Sequence, residues 1–123
     1  MRTAVRALVP MAFVRSVPDS AAFYALLGFR AENSFTPRDQ AEPTWVYLTS
    51  GRAQLMLARA SHPVVASEQA VLFYAYCRDV AALRVELLGK GVAAGPIETP
   101  FYAPRGEFRI QDPDGYAIMV THT

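Results

Sequence analysis

The run from Gly106 to Val120, GEFRIQDPDGYAIMV, restricts what this chain can fold into more than any other segment. Two stretches of alternating residue type flank Asp112-Pro113-Asp114-Gly115. Pro113 presets φ for the first central position of a type I turn, and Gly115 accepts the left-handed conformation that follows. The spacing predicts a three-residue hairpin loop with a bulge at Gly115. That loop fixes the register, placing Tyr116 opposite Asp112, Ile118 opposite Ile110 and Met119 opposite Arg109. One face of the ribbon then carries Phe108, Ile110, Ile118 and Val120 and requires a core. The other carries Glu107, Arg109, Gln111, Ala117, Met119 and Thr121 and looks into something wetter. Such a sheet has a core side and a cavity side.

The preceding chain supplies partners for this hairpin. Val5 to Val14 reads as a strand, and Ser16-Val17-Pro18-Asp19 as a helix start with a capping hydroxyl, a first-turn proline and a carboxylate three residues on. The helix runs through Ala21, Phe23, Tyr24, Leu26 and Leu27, with Gly28 as its stop. Phe29 to Phe35 is an expected strand, and Thr36 to Pro43 a polar loop. Trp45 to Leu48 and Ala53 to Leu57 flank Ser50-Gly51-Arg52 as a second hairpin. Ser61 to Gln69 reads as a linker, after which the order repeats. Val71 to Cys77 is a strand, Asp79 a helix N-cap, and Val80, Leu83 and Leu87 an apolar stripe. Val92 to Ile97 is a short expected strand, and Pro100 to Arg105 a loop holding Phe101 and Tyr102. Leu87-Leu88-Gly89 echoes Leu26-Leu27-Gly28 and suggests duplication.

The expected fold class is α+β: two tandem βαβββ units, about eight strands in all, forming a curved, partly open barrel-like sheet around a cleft, with helices on the convex side. A single domain over residues 1–123 is expected, with unit one over about 5–60, a linker over about 61–69 and unit two over about 70–122. In the first strand Leu8, Pro10, Ala12 and Val14 should face the helix, and Val9, Met11 and Phe13 the cavity. In the second unit Val71, Phe73, Ala75 and Cys77 should face the helix, opposite Leu72, Tyr74 and Tyr76.

Composition excludes several classes. Hydrophobic residues make up 52% of the chain and charged residues 19%, which excludes a disordered polypeptide. A net charge of +1 without a basic run offers no nucleic-acid footprint. The single cysteine, Cys77, forms no internal disulfide, so a reducing cytoplasmic setting is expected, with Cys77 a small buried hydrophobe rather than a nucleophile. The apolar run Ala7 to Val14 is too short for a membrane span, and its Pro10 and missing cleavage site argue against a secretion signal. No membrane partner is expected.

These residues resemble the vicinal oxygen chelate superfamily, which holds glyoxalase I, extradiol dioxygenases, fosfomycin-modifying enzymes and bleomycin-resistance proteins. The matching pieces are Val14-Arg15-Ser16, Phe23-Tyr24, Leu26-Leu27-Gly28-Phe29, Cys77-Arg78-Asp79-Val80, Gly91-Val92, Gly106 to Ile110 and Asp112 to Tyr116. The pattern is closest to the metal-free bleomycin-resistance-like branch. The resemblance implies the fold above; function varies widely on such a scaffold. It also implies a divalent metal held by His, Glu or Gln at four inward strand positions, which here fall on Val9, Met56, Leu72 and Met119. Valine and leucine have no donor atom, and a thioether suits soft Cu(I) rather than Mn, Ni or Zn. His62 lies in the expected linker and His122 at the chain end off parity, so both read as surface histidines. No metal and no other cofactor is therefore expected.

By parity the inward set is Met11, Phe13, Trp45, Tyr47, Gln54, Met56, Leu72, Tyr74, Tyr76, Glu107, Arg109, Gln111 and Met119. Aromatic bodies with polar tips, methionines and a few charges suit a small-molecule pocket. The expected ligand-binding residues are Phe13, Trp45, Tyr47, Met56, Tyr74, Tyr76, Tyr102, Glu107, Arg109 and Met119, with Tyr102 on a loop that borders the cleft. Glu107 and Arg109 either pair with each other or leave Glu107 to receive a cationic group. No residue is assigned a catalytic role: no histidine is placed for Ser-His-Asp chemistry, and no glycine-rich phosphate loop precedes a helix. The reading is a metal-free binder that sequesters an aromatic or cationic compound such as an antibiotic. The resemblance implies a homodimer, with exchanged elements in some relatives and the ligand in a cleft between the chains. The alternatives are a metal-dependent glyoxalase- or dioxygenase-type enzyme with unrecognised ligands, and a dimeric interaction module that binds nothing else.

Overall fold

Chain order in this computed structural model, which describes residues 3–123, begins with strand β1 (Met11–Val14), helix α1 (Val17–Ala25) and strands β2 (Arg30–Phe35), β3 (Trp45–Ser50) and β4 (Ala53–Arg59). After a 3₁₀ turn at Ala66–Glu68 come β5 (Leu72–Cys77), α2 (Val80–Gly89), β6 (Glu107–Gln111) and β7 (Ala117–His122). The chain divides into two units at Val64/Val65, inside the expected linker. Hydrogen bonding gives one sheet of order β1-β4-β3-β2 and another of order β5-β7-β6, neither closed. In each, the first strand runs parallel to the last strand of its unit, and a hairpin supplies the antiparallel pair. The expected α+β class is borne out.

Both helices begin where the sequence places them. Ser16 Oγ accepts from the Asp19 backbone N–H at 3.2 Å, and Asp79 Oδ1 from that of Ala82 at 3.0 Å. Both close with the same device. The Phe29 N–H reaches back to the Tyr24 carbonyl (3.1 Å) and the Val92 N–H to the Leu87 carbonyl (3.0 Å), across glycines at φ +95° (Gly28) and +84° (Gly91). Tyr24 and Phe29 then meet edge to face, with ring centroids 5.9 Å apart. Helix α1 ends at Ala25 rather than Leu27, and Gly89, the echo of Gly28, is the last residue of α2. The Leu-Leu-Gly echo therefore pairs the wrong glycines. The structural repeat is 63 residues (79 − 16 for the caps, 91 − 28 for the stops, 119 − 56 for the central methionines).

Core formation follows strand parity. In unit one Ala12, Val14, Val46, Leu48, Leu55 and Leu57 are buried, as are Val17, Ser20 and Tyr24 of α1, the helix packed on this sheet. In unit two Val80 and Leu87 of α2 are buried, as are Phe108, Ile110, Ile118 and Val120. Each large aliphatic side chain removed from water contributes about 1.5–3 kcal/mol. The hairpin register is the expected one, with Arg109 opposite Met119 and Ile110 opposite Ile118. The loop closes through Gly115 N–H to Asp112 O (2.9 Å) and Asp112 N–H to Tyr116 O (3.0 Å), with Gly115 at φ +89°.

Three expectations fail. The first strand spans only Met11–Val14, not Val5 to Val14: Val5 and Leu8 are exposed, and pairing extends back only as far as the Pro10 carbonyl, which accepts from Met56 N–H. Val92 to Ile97 is not a strand, so seven strands form among the described residues instead of about eight. The segment hydrogen-bonds to β6 through Gly95 N–H to Arg109 O, and the next residue, Glu98, forms an isolated bridge with Glu107. Pro96 lacks a donor, and Ala93, Ala94 and Gly95 have little side chain to pack, so no ladder propagates. His122 is not a surface histidine. It lies on the α2 side of β7, half-buried, with both ring nitrogens covered and without a partner.

Candidate functional site

Each sheet turns one face to its helix and leaves the other uncovered within its own unit. In unit one the open face is built in cross-strand rows. Phe13, Ala58, Trp45 and Phe35 form one row across the four strands, and Met11, Met56, Tyr47 and Asn33 the next. Phe13 remains 51% exposed, while Trp45, Tyr47 and Met56 are half-buried. Gln54 Nε2 donates to Tyr47 Oη at 2.6 Å, fixing the tyrosine ring in place. The parity expected for Trp45 and Tyr47 is the parity observed. Phe35 was not foreseen on this face, because a bulge between Ala31 and Asn33 shifts the register of β2. A period-two reading has no means to anticipate an inserted residue.

The open face of unit two carries the rows Tyr74–Met119–Arg109 and Tyr76–Thr121–Glu107. Tyr76 is 65% exposed, and its ring centroid lies 6.2 Å from that of Tyr74 at a 32° tilt. Arg109 is exposed and Met119 half-buried. This face is not uniformly wet as expected: Ala117, Thr121 and Glu107 are buried. The segment that fails to become a strand is the cause at Glu107, since Glu98 pairs with its backbone in both directions at 2.9 Å. The loop after it then brings the Tyr102 hydroxyl to Glu107 Oε2, at 3.4 Å. Glu107 and Arg109 form no ion pair.

The carboxylate leaves a mark on the loop. Glu107 first, then desolvation and the neighbouring Tyr74, push the Tyr102 phenol above the usual tyrosine range. At neutral pH Tyr102 is therefore a donor. Burial, with a smaller contribution from the Asp79 charge, pushes the Cys77 thiol up, so it is not held as a reactive thiolate.

The donor chemistry at the four metal positions does not fit a divalent cation. Val9 and Leu72 supply none, and Met56 and Met119 supply only thioethers. Among the described residues no three His, Cys, Asp or Glu side chains group as a metal site would need. His62 is exposed in the linker, within 3.0 Å of the Ser61 hydroxyl. A separate hollow of about 410 Å³ in unit one lies beside the start of α1, walled by Arg15, Pro18, Glu42 and Arg59 among others, and includes none of the expected ligand-binding residues. Among the described residues no helix is long and apolar enough to cross a membrane.

Against known proteins, the sequence model of the Glyoxalase/Bleomycin resistance protein/Dioxygenase superfamily matches residues 6–120. The chain belongs to this superfamily. Its fold is shared by the solved structure of a bleomycin resistance determinant encoded on the transposon Tn5, at 19% identity and a TM-score of 0.73, over 97% of this chain and 98% of that one. A bleomycin-binding protein from bleomycin-producing Streptomyces verticillus, solved with copper(II)-bleomycin, is 21% identical with a TM-score of 0.69 over 98% of each chain. TnmS3, an antibiotic-binding protein from Streptomyces sp. CB03234, is 18% identical with a TM-score of 0.73, covering 98% of this chain and 97% of that one. No curated protein sequence matches. The superfamily and its bleomycin-resistance-like fold, expected from the motifs, are both borne out.

Proposed function

We propose that this superfamily member is a non-enzymatic small-molecule binder. It sequesters an aromatic or cationic compound on its open sheet faces as a cytoplasmic homodimer, without a metal of its own. The observation that supports this best is the division of each sheet. One face is sealed by a helix, while the other presents Phe13, Trp45 and Tyr47 in unit one and Tyr74 and Tyr76 in unit two. Exposed aromatic area on this scale marks a binding surface more often than idle surface. The proposed contact residues are Phe13, Trp45, Tyr47, Met56, Tyr74, Tyr76, Tyr102, Glu107, Arg109 and Met119. Two fold relatives, a bleomycin-binding protein solved with copper(II)-bleomycin and an antibiotic-binding protein, support a ligand of this character.

Trp45 is the only tryptophan and stands on the open face of β3, so its fluorescence reports on ligand directly. Saturable quenching by bleomycin or by a planar cationic aromatic is expected, weakened at least tenfold by Phe13→Ala. No saturable quenching across a broad panel of such compounds overturns the proposal. Elemental analysis of the purified protein separates it from the enzyme reading, which requires a stoichiometric first-row metal.

A further inference from the structure

Glu107 is 5% exposed, and the protein satisfies only one of its carboxylate oxygens. Oε2 takes a long hydrogen bond from the Tyr102 hydroxyl, whereas Oε1 is buried and has no donor. Nearby donors are otherwise engaged. Thr121, opposite Glu107 in the strand pair, turns its hydroxyl to the Gly106 carbonyl at 3.4 Å. Arg109, two residues along the same face, stays exposed. A buried carboxylate oxygen without a donor is destabilising, and a fold gains nothing from it unless something else supplies the hydrogen.

Three tyrosines lie on the sheet rows and the loop next to Glu107. Tyr76 shares the Thr121–Glu107 row, Tyr74 lies in the adjacent row, and Tyr102 touches the carboxylate through its hydroxyl. Aromatic faces attract organic cations, and a carboxylate at their base adds both charge and a directed acceptor. The neighbouring loop residue Phe101 is 96% exposed and packs edge to face on Tyr102, with ring centroids 5.3 Å apart, extending the apolar wall.

We infer that Glu107, Tyr102, Tyr74 and Tyr76 form a site for an organic ammonium ion that carries at least one N–H. With the exposed Phe101–Tyr102 loop shifted aside, the nitrogen donates to Glu107 Oε1, which is buried in the free protein, and the tyrosine rings cover the carbons attached to it. The inference rests on the proposed binding role and narrows its ligand class. Protonated amines with a flat apolar body are selected over quaternary cations, which cannot donate, and over neutral aromatics, which leave the carboxylate unpaired. One hydrogen bond to a charged group corresponds to a preference of about tenfold or more.

The test is calorimetric titration of the full chain at pH 7 with 2-phenylethylammonium, its N,N,N-trimethyl derivative and (2-methoxyethyl)benzene, a neutral analogue without a donor. The N–H-bearing ion is expected to bind at least tenfold more tightly than either of the others. In the same unaltered protein it should also shift the side-chain carboxyl carbon signal of Glu107. Glu107→Gln should abolish the preference for the N–H-bearing ion over its trimethyl derivative. Equal affinity for the two cations overturns the inference, as does no saturable ammonium binding. Quenching of Trp45 by bleomycin in that case leaves the general binding role standing; absence of that quenching as well removes both.

Discussion

Replacing Asp112 with alanine should destabilise unit two by about 3 kcal/mol. Asp112 is buried at the start of the hairpin loop, and its Oδ1 accepts from the backbone N–H groups of Asp114 and Tyr116, each at 2.9 Å. Both bonds are made to a carboxylate, a class that contributes about 1.5–3 kcal/mol each. Alanine also strands two backbone donors, of which Asp114 and Tyr116 are both buried residues. Partial access of water to the loop reduces the sum, which brings the expected loss to about 3 kcal/mol, or roughly 10 °C in Tm for a chain of this size. Guanidinium unfolding followed by tyrosine fluorescence and circular dichroism measures it. Asp112→Asn, which keeps one acceptor oxygen, should lose less than half as much. A loss below 1 kcal/mol for alanine, or equal losses for the two variants, would refute the claim that these bonds hold the turn.

Further outcomes follow from the same coordinates. Tyr102 titrates above the ordinary tyrosine value of about 10, so the folded protein retains a proton that the unfolded chain releases. Its contribution to stability is complete below about pH 10 and is lost as pH rises through the raised folded value; ultraviolet titration should show one phenol moving down toward the ordinary range in Glu107→Gln. Gly89→Ala should be neutral or stabilise by up to about 1 kcal/mol, because a Cβ there meets nothing within 4 Å, whereas Gly91→Ala should cost about 1–2 kcal/mol at φ +84°. Gly115→Ala should be worse than either in thermal denaturation, since its Cβ would stand 2.3 Å from that of Ala66 at φ +89°. His122→Leu should raise Tm slightly, by removing two covered ring nitrogens that have no partner.

The sheet hairpins were legible because period-two alternation and turn chemistry are local. Asp-Pro-Asp-Gly fixes the β6–β7 register before any tertiary contact forms, and parity follows for every residue from Glu107 to Thr121. The helix starts at Ser16 and Asp79 were legible for the same reason, since a cap is satisfied three residues away. The stop of the first helix at Gly28 was legible too, but that of the second was not: Gly28 and Gly89 both follow Leu-Leu, yet the left-handed residue of the second unit is Gly91. Helix α2 runs through Gly89 and closes only where the Val92 N–H returns to the Leu87 carbonyl across Gly91. The candidate site divides the same way. Phe13, Trp45, Tyr47, Tyr74, Tyr76 and Met119 could be assigned to the open faces from alternation alone. Phe35 was hidden by a bulge, and the burial of Glu107 by a segment that pairs as a single bridge.

What the sequence determined by itself is the α+β repeat, the core face of each strand and the lack of oxygen or nitrogen donors at the positions that the resemblance assigns to a metal. What only the tertiary structure decided is which polar groups on the open faces are satisfied. Glu107 could have paired with Arg109, two residues away on the same strand. Instead the chain from Glu98 to Tyr102 folds over it, supplies one phenol donor, and leaves Oε1 without one. Hydrogen-bond satisfaction depends on segments brought together across the fold, and no local pattern encodes it.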